Sequence, residues 1–125
     1  MQVPPFLLRR LYVKGSLENT QEGFQFRLSN ILGSGYAEAL LPLSVDGEEV
    51  AAGDATFTVE GESDVLTPFA AVTAEQPFTL EMNKTTVIHV RGRTLAPGEH
   101  RIAMGFVVVG LGEMAFEVAD EVADG

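Results

Sequence analysis

Apolar and polar residues alternate over most of this chain, and the alternation is strongest between residues 78 and 118. Runs in this stretch place a large apolar or β-branched side chain on every second position. The first run consists of Phe78, Leu80 and Met82 and resumes with Thr86, Ile88 and Val90. The second consists of Ile102, Met104, Phe106 and Val108, and the third of Met114, Phe116 and Val118. A period of two is typical of a strand with one buried face. The stretch therefore predicts antiparallel strands, with hairpin turns at residues 83–84 and 110–112.

The first half of the chain carries further strand signals. Residues 11–18 and 24–28 alternate on either side of a polar turn cluster, which predicts a hairpin. A run over residues 36–45 contains Pro42, which predicts an edge position or a bulge because proline cannot donate to a ladder. The dipeptide at 46–47 is Asp-Gly, a strong signal for a tight turn.

The middle of the chain, residues 55–77, contains one clear strand signal and one stretch without a regular pattern. Residues 55–61 predict another strand, with Phe57 and Val59 facing inward. Residues 62–77 show no sustained period. They predict either a short strand near residues 65–72 or a crossing from one sheet to the other.

These signals together indicate an all-β protein. Seven to nine short strands, separated by turn signals roughly every ten residues, predict an antiparallel β-sandwich of the immunoglobulin-like type. A small closed β-barrel is the alternative. Thr94–Ile102 resembles the loop-to-strand entry of immunoglobulin-like sandwiches, and this resemblance implies the fold alone.

The predicted domain organisation is simple. We expect a single β-sandwich domain over residues 11–119, which is an ordinary domain size. An N-terminal arm over residues 1–10 should form either one helical turn beginning at Pro5 or an edge strand. Residues 120–125 are predicted to form an acidic C-terminal tail.

Composition restricts the function more than it restricts the fold. The chain has 125 residues, no cysteine and a net charge of −10. Without cysteine, disulfides, thiolate nucleophiles and cysteine-ligated metal centres are excluded. An acidic surface disfavours nucleic acid, whose affinity for proteins depends on neutralising phosphates. The chain has neither the pattern of a signal peptide nor an apolar run of about 20 residues. We therefore expect a cytoplasmic protein without a transmembrane segment.

No motif in the sequence identifies catalytic chemistry. His89 and His100 lack the spacing of a metal site and are predicted to lie on the surface or at a strand end without a role. No Gly-x-Ser-x-Gly or calcium-loop pattern occurs, and the two Gly-x-Gly segments, residues 33–35 and 110–112, predict turns. We predict no catalytic, cofactor-binding or metal-binding residues, and the sequence argues against an enzyme.

A small basic group stands out on this acidic chain. Arg91, Arg93 and Arg101 flank the predicted Pro-Gly turn at 97–98, so pairing of the strands would bring them near one another. The simpler interpretation is charge balance with neighbouring glutamates. The functional hypothesis is that these arginines contact an anion or an acidic partner.

The segment 104–109 is apolar on both faces, which is more than one core face requires. Either another element covers the second face, or that face is an interface. Phe106, Val107 and Val109 are therefore candidate interface residues.

Two functional hypotheses from different classes follow. The first is a non-catalytic module for protein interaction or self-association, including an accessory subunit of a larger enzyme, with a protein partner or a homo-oligomer. The alternative is a small-molecule-binding β-domain or small enzyme with an apolar cavity between its sheets. The residues predicted to line that cavity are Phe24, Phe26, Phe57, Phe106 and Phe116.

Overall fold

The computed structural model describes residues 4–61 and 66–122 as two antiparallel β-sheets packed face to face. A short helix, α1 (Pro5–Leu8), comes first, and single 3-10 turns occur at Arg9–Leu11, Ala52–Asp54 and Phe69–Ala71. The strands of the described part are β1 (Glu18–Asn19), β2 (Gly23–Ser29), β3 (Gly35–Leu40), β4 (Ser44–Val45), β5 (Glu48–Glu49), β6 (Ala55–Val59), β7 (Thr67–Pro68), β8 (Phe78–Leu80), β9 (Thr85–Arg91), β10 (Gly98–Val108) and β11 (Gly112–Val122).

One sheet has five strands and the other has six. The order in the first is β1-β2-β9-β6-β7; the second has the order β5-β4-β10-β3-β8, with β11 also paired to β10. The predicted antiparallel sandwich is confirmed, and the described strands do not close into the alternative barrel. There are more strands than the seven to nine predicted. Four of them (β1, β4, β5 and β7) are two residues long, which is too short for alternation to be recognised.

The hydrophobic core lies between the two sheets. Seven large side chains are almost fully buried there: Leu8, Phe24, Phe26, Leu43, Val45, Ile88 and Ile102. Phe57 of β6 and Phe78 of β8 belong to different sheets, and their ring centroids lie 4.5 Å apart. Burial of these apolar surfaces is the main source of stability that holds the sheets together.

The N-terminal arm contributes to this core. The described part of the arm contains α1, which agrees with the expectation of one helical turn beginning at Pro5. Leu8 at the end of α1 is 1% exposed, and Leu11 is also buried. The structure thus makes residues 8 and 11 part of the sandwich interior.

Strands β10 and β11 form the longest ladder, which runs from the pair Gly98–Val122 to the pair Val108–Gly112. The sequence placed the start of an acidic tail at residue 120, but β11 continues through Val122. The strand extends beyond the predicted end of the domain because Asp120 and Val122 are buried and remain paired with β10. Residues 123–125 of the predicted tail lie outside the described residues.

The predicted strand over residues 11–18 is wrong in part. Tyr12 makes only an isolated bridge to Leu28, and regular pairing begins at β1. Between them the chain turns, because Gly15 adopts a φ of +86° and the Ser16 N–H donates to the carbonyl of Val13 at 3.1 Å. Glycine tolerates this left-handed conformation, which would strain another residue.

The hairpin predicted at residues 83–84 is also wrong. Strands β8 and β9 flank this turn, yet β8 pairs with β3 in one sheet and β9 pairs with β2 and β6 in the other. Asn83 has a φ of +69° at the point where the chain crosses between the sheets. Alternation is the same on both sides of such a crossing, so it does not distinguish a crossing from a hairpin.

Other turn predictions are confirmed. Pro42 lies in the gap between β3 and β4, where the ladder to β10 is interrupted. Asp46 and Gly47 both have positive φ angles and join β4 to β5, as the Asp-Gly signal predicted. Within the uncertain stretch 62–77 the described part contains β7, and residues 62–65 lie outside the described residues.

A buried carboxylate links the first residues of the sandwich to its last strand. Asp120, 6% exposed, accepts a hydrogen bond from the Tyr12 hydroxyl at 2.6 Å. Its oxygens also accept from the N–H groups of Gly15 at 2.9 Å, Leu17 at 3.4 Å and Glu121 at 2.9 Å. Burial alone would raise the pKa of Asp120, but these hydrogen bonds stabilise the carboxylate and lower its pKa overall. Burial and the adjacent carboxylate raise the pKa of Tyr12, which therefore remains a donor.

Replacing Asp120 should destabilise the protein strongly. Asp120→Ala leaves the Tyr12 hydroxyl and backbone N–H groups without their acceptor, so we expect the free energy of unfolding to fall by about 3 kcal/mol. Tyr12→Phe, which removes one donor, should cost about 1 kcal/mol. Urea denaturation followed by circular dichroism measures both values.

The exposed neighbour provides the control for this test. Glu121→Ala should change the free energy of unfolding by less than about 0.5 kcal/mol. Equal effects of Asp120→Ala and Glu121→Ala would contradict a stabilising role for the buried carboxylate.

Candidate functional site

An apolar cavity of about 300 Å³ opens at one end of the sandwich. Its walls come from both sheets and from the N-terminal segment, and they include Leu28, Leu40, Phe57, Ile88, Phe106 and Val108. A cavity between the sheets is what the alternative functional hypothesis required. Of the five phenylalanines predicted to line it, Phe57 and Phe106 do so, whereas Phe24, Phe26 and Phe116 pack elsewhere in the core.

Large apolar side chains surround the mouth of this cavity on the outside. In the described part of the chain, eight large apolar side chains are exposed, and six of them belong to the loops and strand ends at this end. We call these six residues the apolar tip; they are Ile31, Leu32, Tyr36, Met82, Val109 and Leu111, with exposures of 39–57%. Groups of exposed apolar residues at one end of a protein are a common feature of interaction or binding sites.

Hydrogen bonds hold the loops of the apolar tip together. The Val109 N–H donates to the Tyr36 carbonyl at 2.9 Å, and the Met82 N–H donates to the Ser34 hydroxyl at 3.1 Å. The Asn83 N–H donates to the carbonyl of Asn30 at 2.7 Å. The connections β2–β3, β8–β9 and β10–β11 therefore form one surface.

Asn30 is the polar side chain that organises the mouth. Its amide nitrogen donates to the carbonyls of Gly33 at 2.8 Å and Leu80 at 3.2 Å. Its amide oxygen accepts from the N–H groups of Leu32 at 3.2 Å and Gly33 at 3.3 Å. This side chain therefore links the 30–35 loop to β8 at the lining of the cavity.

The three candidate arginines lie away from this end. Strands β2 and β9 run from the pair Ser29–Thr85 near the tip to the pair Gly23–Arg91 at the opposite end. Each arginine forms an ion pair with a different acid: Arg91 with Asp54 at 3.3 Å, Arg93 with Glu48 at 3.2 Å and Arg101 with Glu117 at 3.1 Å. These contacts account for their charges without a shared ligand, and the contact with an acidic partner stays a prediction.

Arg101 has different basic neighbours from those predicted. Its side chain lines a shallow surface cleft together with Arg9, Lys14 and Glu117. Arg9 donates through Nε to the Glu117 carbonyl at 3.2 Å. Arg9 and Glu117 are 108 positions apart in the chain, which is why sequence spacing did not suggest this grouping.

His100 is part of a charged network at the end opposite the apolar tip. Its Nδ1 lies 2.6 Å from Asp46 Oδ2, and its Nε2 lies 2.7 Å from the carbonyl oxygen of Ala96. Both partners are acceptors, so the ring donates from both nitrogens when it is protonated. These two hydrogen bonds raise the pKa of His100, while bonds from the Arg101 N–H and from His100 lower the pKa of Asp46. The histidine therefore stabilises the β4–β5 turn, a role that its sequence context did not reveal.

His89 is placed differently. Its Nε2 lies 3.2 Å from the Thr58 hydroxyl on the outer face of the five-stranded sheet. Partial burial, followed by the nearby Arg27 charge, lowers the pKa of His89. Over residues 4–61 and 66–122, no three His, Asp or Glu side chains are grouped in a way that would hold a metal ion.

The candidate interface residues of β10 separate onto two faces. Phe106 faces the core and is 3% exposed, so it lines the cavity and is not on the surface. Val107 is half-buried on the outer face, and Val109 is an exposed member of the apolar tip. The second apolar face inferred from the sequence thus continues into the tip through Val109.

Several residues of the site were not identified from the sequence. Leu32, Leu80 and Leu111 line the mouth of the cavity, and Asn30 organises it. A signal did exist for Leu111, because it is a large apolar residue between two turn glycines, where a polar residue is usual. Asn30 and Leu32 carry no comparable signal, since their contacts to β8 depend on the crossing between the sheets.

Fold and site together define a β-sandwich domain whose best-formed site is an apolar cavity with an apolar rim. The family model described as "Hydroxymethylglutaryl-CoA reductase, N-terminal domain" matches residues 7–123. The chain belongs to this family, and the matched region is a non-catalytic part of the enzyme family. No curated protein matches the chain. In the described part, none of the helices is both long and apolar enough to cross a membrane.

The two histidines should give opposite pH dependence of stability. The pKa of His100 is raised in the folded protein, so its stabilising effect is fully present below the ordinary value of about 6.5 and is lost as the pH rises through the folded pKa. His100→Gln should therefore destabilise the protein more at pH 5.5 than at pH 9. Urea denaturation at both pH values tests this difference.

His89 serves as the matched control. The pKa of His89 is lowered by folding, so its protonation opposes folding and wild-type stability decreases as the pH falls below about 6.5. His89→Gln should therefore become relatively more favourable at pH 5.5 than at pH 9. If His100→Gln showed the pH trend predicted for His89→Gln, or no trend, the assignment of the His100 network would be wrong.

Proposed function

We propose that this protein is a non-catalytic docking domain that binds the catalytic part of a hydroxymethylglutaryl-CoA reductase through its apolar tip. The main support for the proposal is that six exposed apolar residues lie at one end of the sandwich. They are Ile31, Leu32, Tyr36, Met82, Val109 and Leu111. Single exposed apolar residues are ordinary, but a contiguous group of them is a feature of interaction surfaces. The family suggests the partner, because an N-terminal domain belongs to a larger enzyme.

The composition of the apolar tip suits a protein contact. Tyrosine and methionine are enriched in the centres of protein interfaces, and charged residues are depleted there. Tyr36 and Val109 are each 57% exposed and are linked by a backbone hydrogen bond, so they present a fixed pair of anchors. A surface that is already ordered loses little conformational entropy on binding.

Charge favours a different protein over a second copy of this chain. The net charge of −10 makes two copies repel each other, and this repulsion opposes self-association at low salt. We therefore expect this protein to associate with a different protein. Self-association is the competing outcome, and light scattering of the isolated protein distinguishes the two.

Substitutions in the apolar tip should weaken docking. Val109→Glu combined with Leu111→Glu places two charges at the centre of the surface, and we expect the dissociation constant for the catalytic part, added as a separate chain, to increase at least about tenfold. Isothermal titration calorimetry measures the constant. Circular dichroism should show that the variant remains folded, because both side chains are exposed.

Two controls make this test specific. Leu66→Glu changes another exposed leucine, at the edge of the five-stranded sheet, and should leave the affinity unchanged. Arg91→Glu combined with Arg93→Glu should also have no effect on docking. If the arginine variant abolishes binding and the tip variant does not, the hypothesis of an arginine contact with an acidic partner replaces ours. Absence of binding by the wild-type protein also overturns the proposal.

A further inference from the structure

We propose that the cavity between the sheets binds one uncharged, largely apolar small molecule of about a dozen carbon atoms with a hydrogen-bond acceptor at one end. This inference goes beyond the docking function and does not depend on it. Tyr36 and Val109, which we expect to anchor the protein partner, do not line the cavity.

The size of the cavity sets the size of the ligand. Its volume is about 300 Å³, roughly twice that of the ~150 Å³ engineered cavity that takes up benzene. One large side chain from a docked protein would fill only part of this space. A flexible or fused-ring molecule of about a dozen carbon atoms would fill it.

The lining of the cavity sets the polarity of the ligand. Among the described residues no ionisable side chain lines it, and the polar side chains of this lining are those of Asn30, Ser34 and Thr86. Both polar atoms of the Asn30 side chain are already engaged with backbone groups. Water would find few partners in such a cavity, so an apolar ligand competes with little ordered solvent. A charged group would be buried without a partner, which is costly.

The mouth indicates where the polar end of the ligand belongs. In its described hydrogen bond, the Ser34 hydroxyl accepts from the Met82 N–H at 3.1 Å. A hydroxyl also carries a hydrogen that it donates, so Ser34 has the chemistry to bind an acceptor oxygen on the ligand. Leu32 and Leu111 stand at the same mouth and are each 39% exposed, so they give an apolar molecule a path into the core.

Displacement of a fluorescent probe tests the proposal on the full chain. N-phenyl-1-naphthylamine should gain fluorescence on binding, and 1-decanol should displace it. 1-Hexanol, which fills the cavity poorly, and decanoate, which carries a charge, should each need at least about tenfold higher concentration. Saturating 1-decanol should also raise the melting temperature, because a ligand that binds the folded state stabilises it.

A variant that fills the mouth locates the binding site. Leu80 is a partly buried lining residue of β8, and Leu80→Trp should lower the affinity for 1-decanol at least tenfold while the melting temperature without ligand stays the same or rises. Leu66→Trp is the matched control and should bind as the wild type does. The single substitution Val109→Glu changes a residue of the apolar tip that does not line the cavity, so it should weaken docking but retain the affinity for 1-decanol. Failure of docking and failure of ligand binding are therefore separately visible.

Two results would overturn the proposal. The first is a wild-type protein that shows neither probe displacement nor a melting-temperature shift with 1-decanol; this result does not depend on whether any variant folds. The second is a folded Leu80→Trp variant with unchanged affinity, which would place the binding outside the cavity.

Discussion

Strand β10 lies between other strands of its sheet, and its position determines how the core and the cavity are built. This strand pairs with β11 along its whole length and, on its other edge, with β4 and then β3. The approach of these strands requires Gly105, because a Cβ there would lie 2.6 Å from the Met114 carbonyl oxygen and 2.7 Å from a Leu41 methyl group. The inward side chains of β10 are therefore buried in the core, and two of them, Phe106 and Val108, also line the cavity.

The two ends of the sandwich differ in chemistry. At one end, turns and strand ends carry paired charges, including Asp46 with His100 and Arg93 with Glu48. Exposed ion pairs of this kind contribute little stability individually, but they leave the end polar and well hydrated. At the other end the loops expose the six large apolar side chains of the apolar tip, and two of these residues, Leu32 and Leu111, line the cavity. This asymmetry is the reason to assign docking to the apolar tip and to treat the charged end as structural.

Local pattern in the sequence was enough to predict the fold class. It identified the buried faces of β9, β10 and β11, the break at Pro42 and the Asp-Gly turn at 46–47. It did not predict contacts between distant parts of the chain. Tyr12 and Asp120 are 108 positions apart, and the sheet to which a strand belongs is not encoded in its alternation. Of the apolar tip, the sequence identified only Val109 as a candidate site residue. The loops of the tip come together only because the chain crosses between the sheets, and local pattern does not predict that crossing.

Hydrogen–deuterium exchange would show where the catalytic part of the reductase docks, because it reports which backbone amides become protected when this partner is added. We expect protection in residues 30–36, 82–84 and 109–112, which form the apolar tip, and little change in residues 91–101 at the charged end. Protection confined to residues 91–101, or no change at any of these positions under saturating partner, would contradict this expectation.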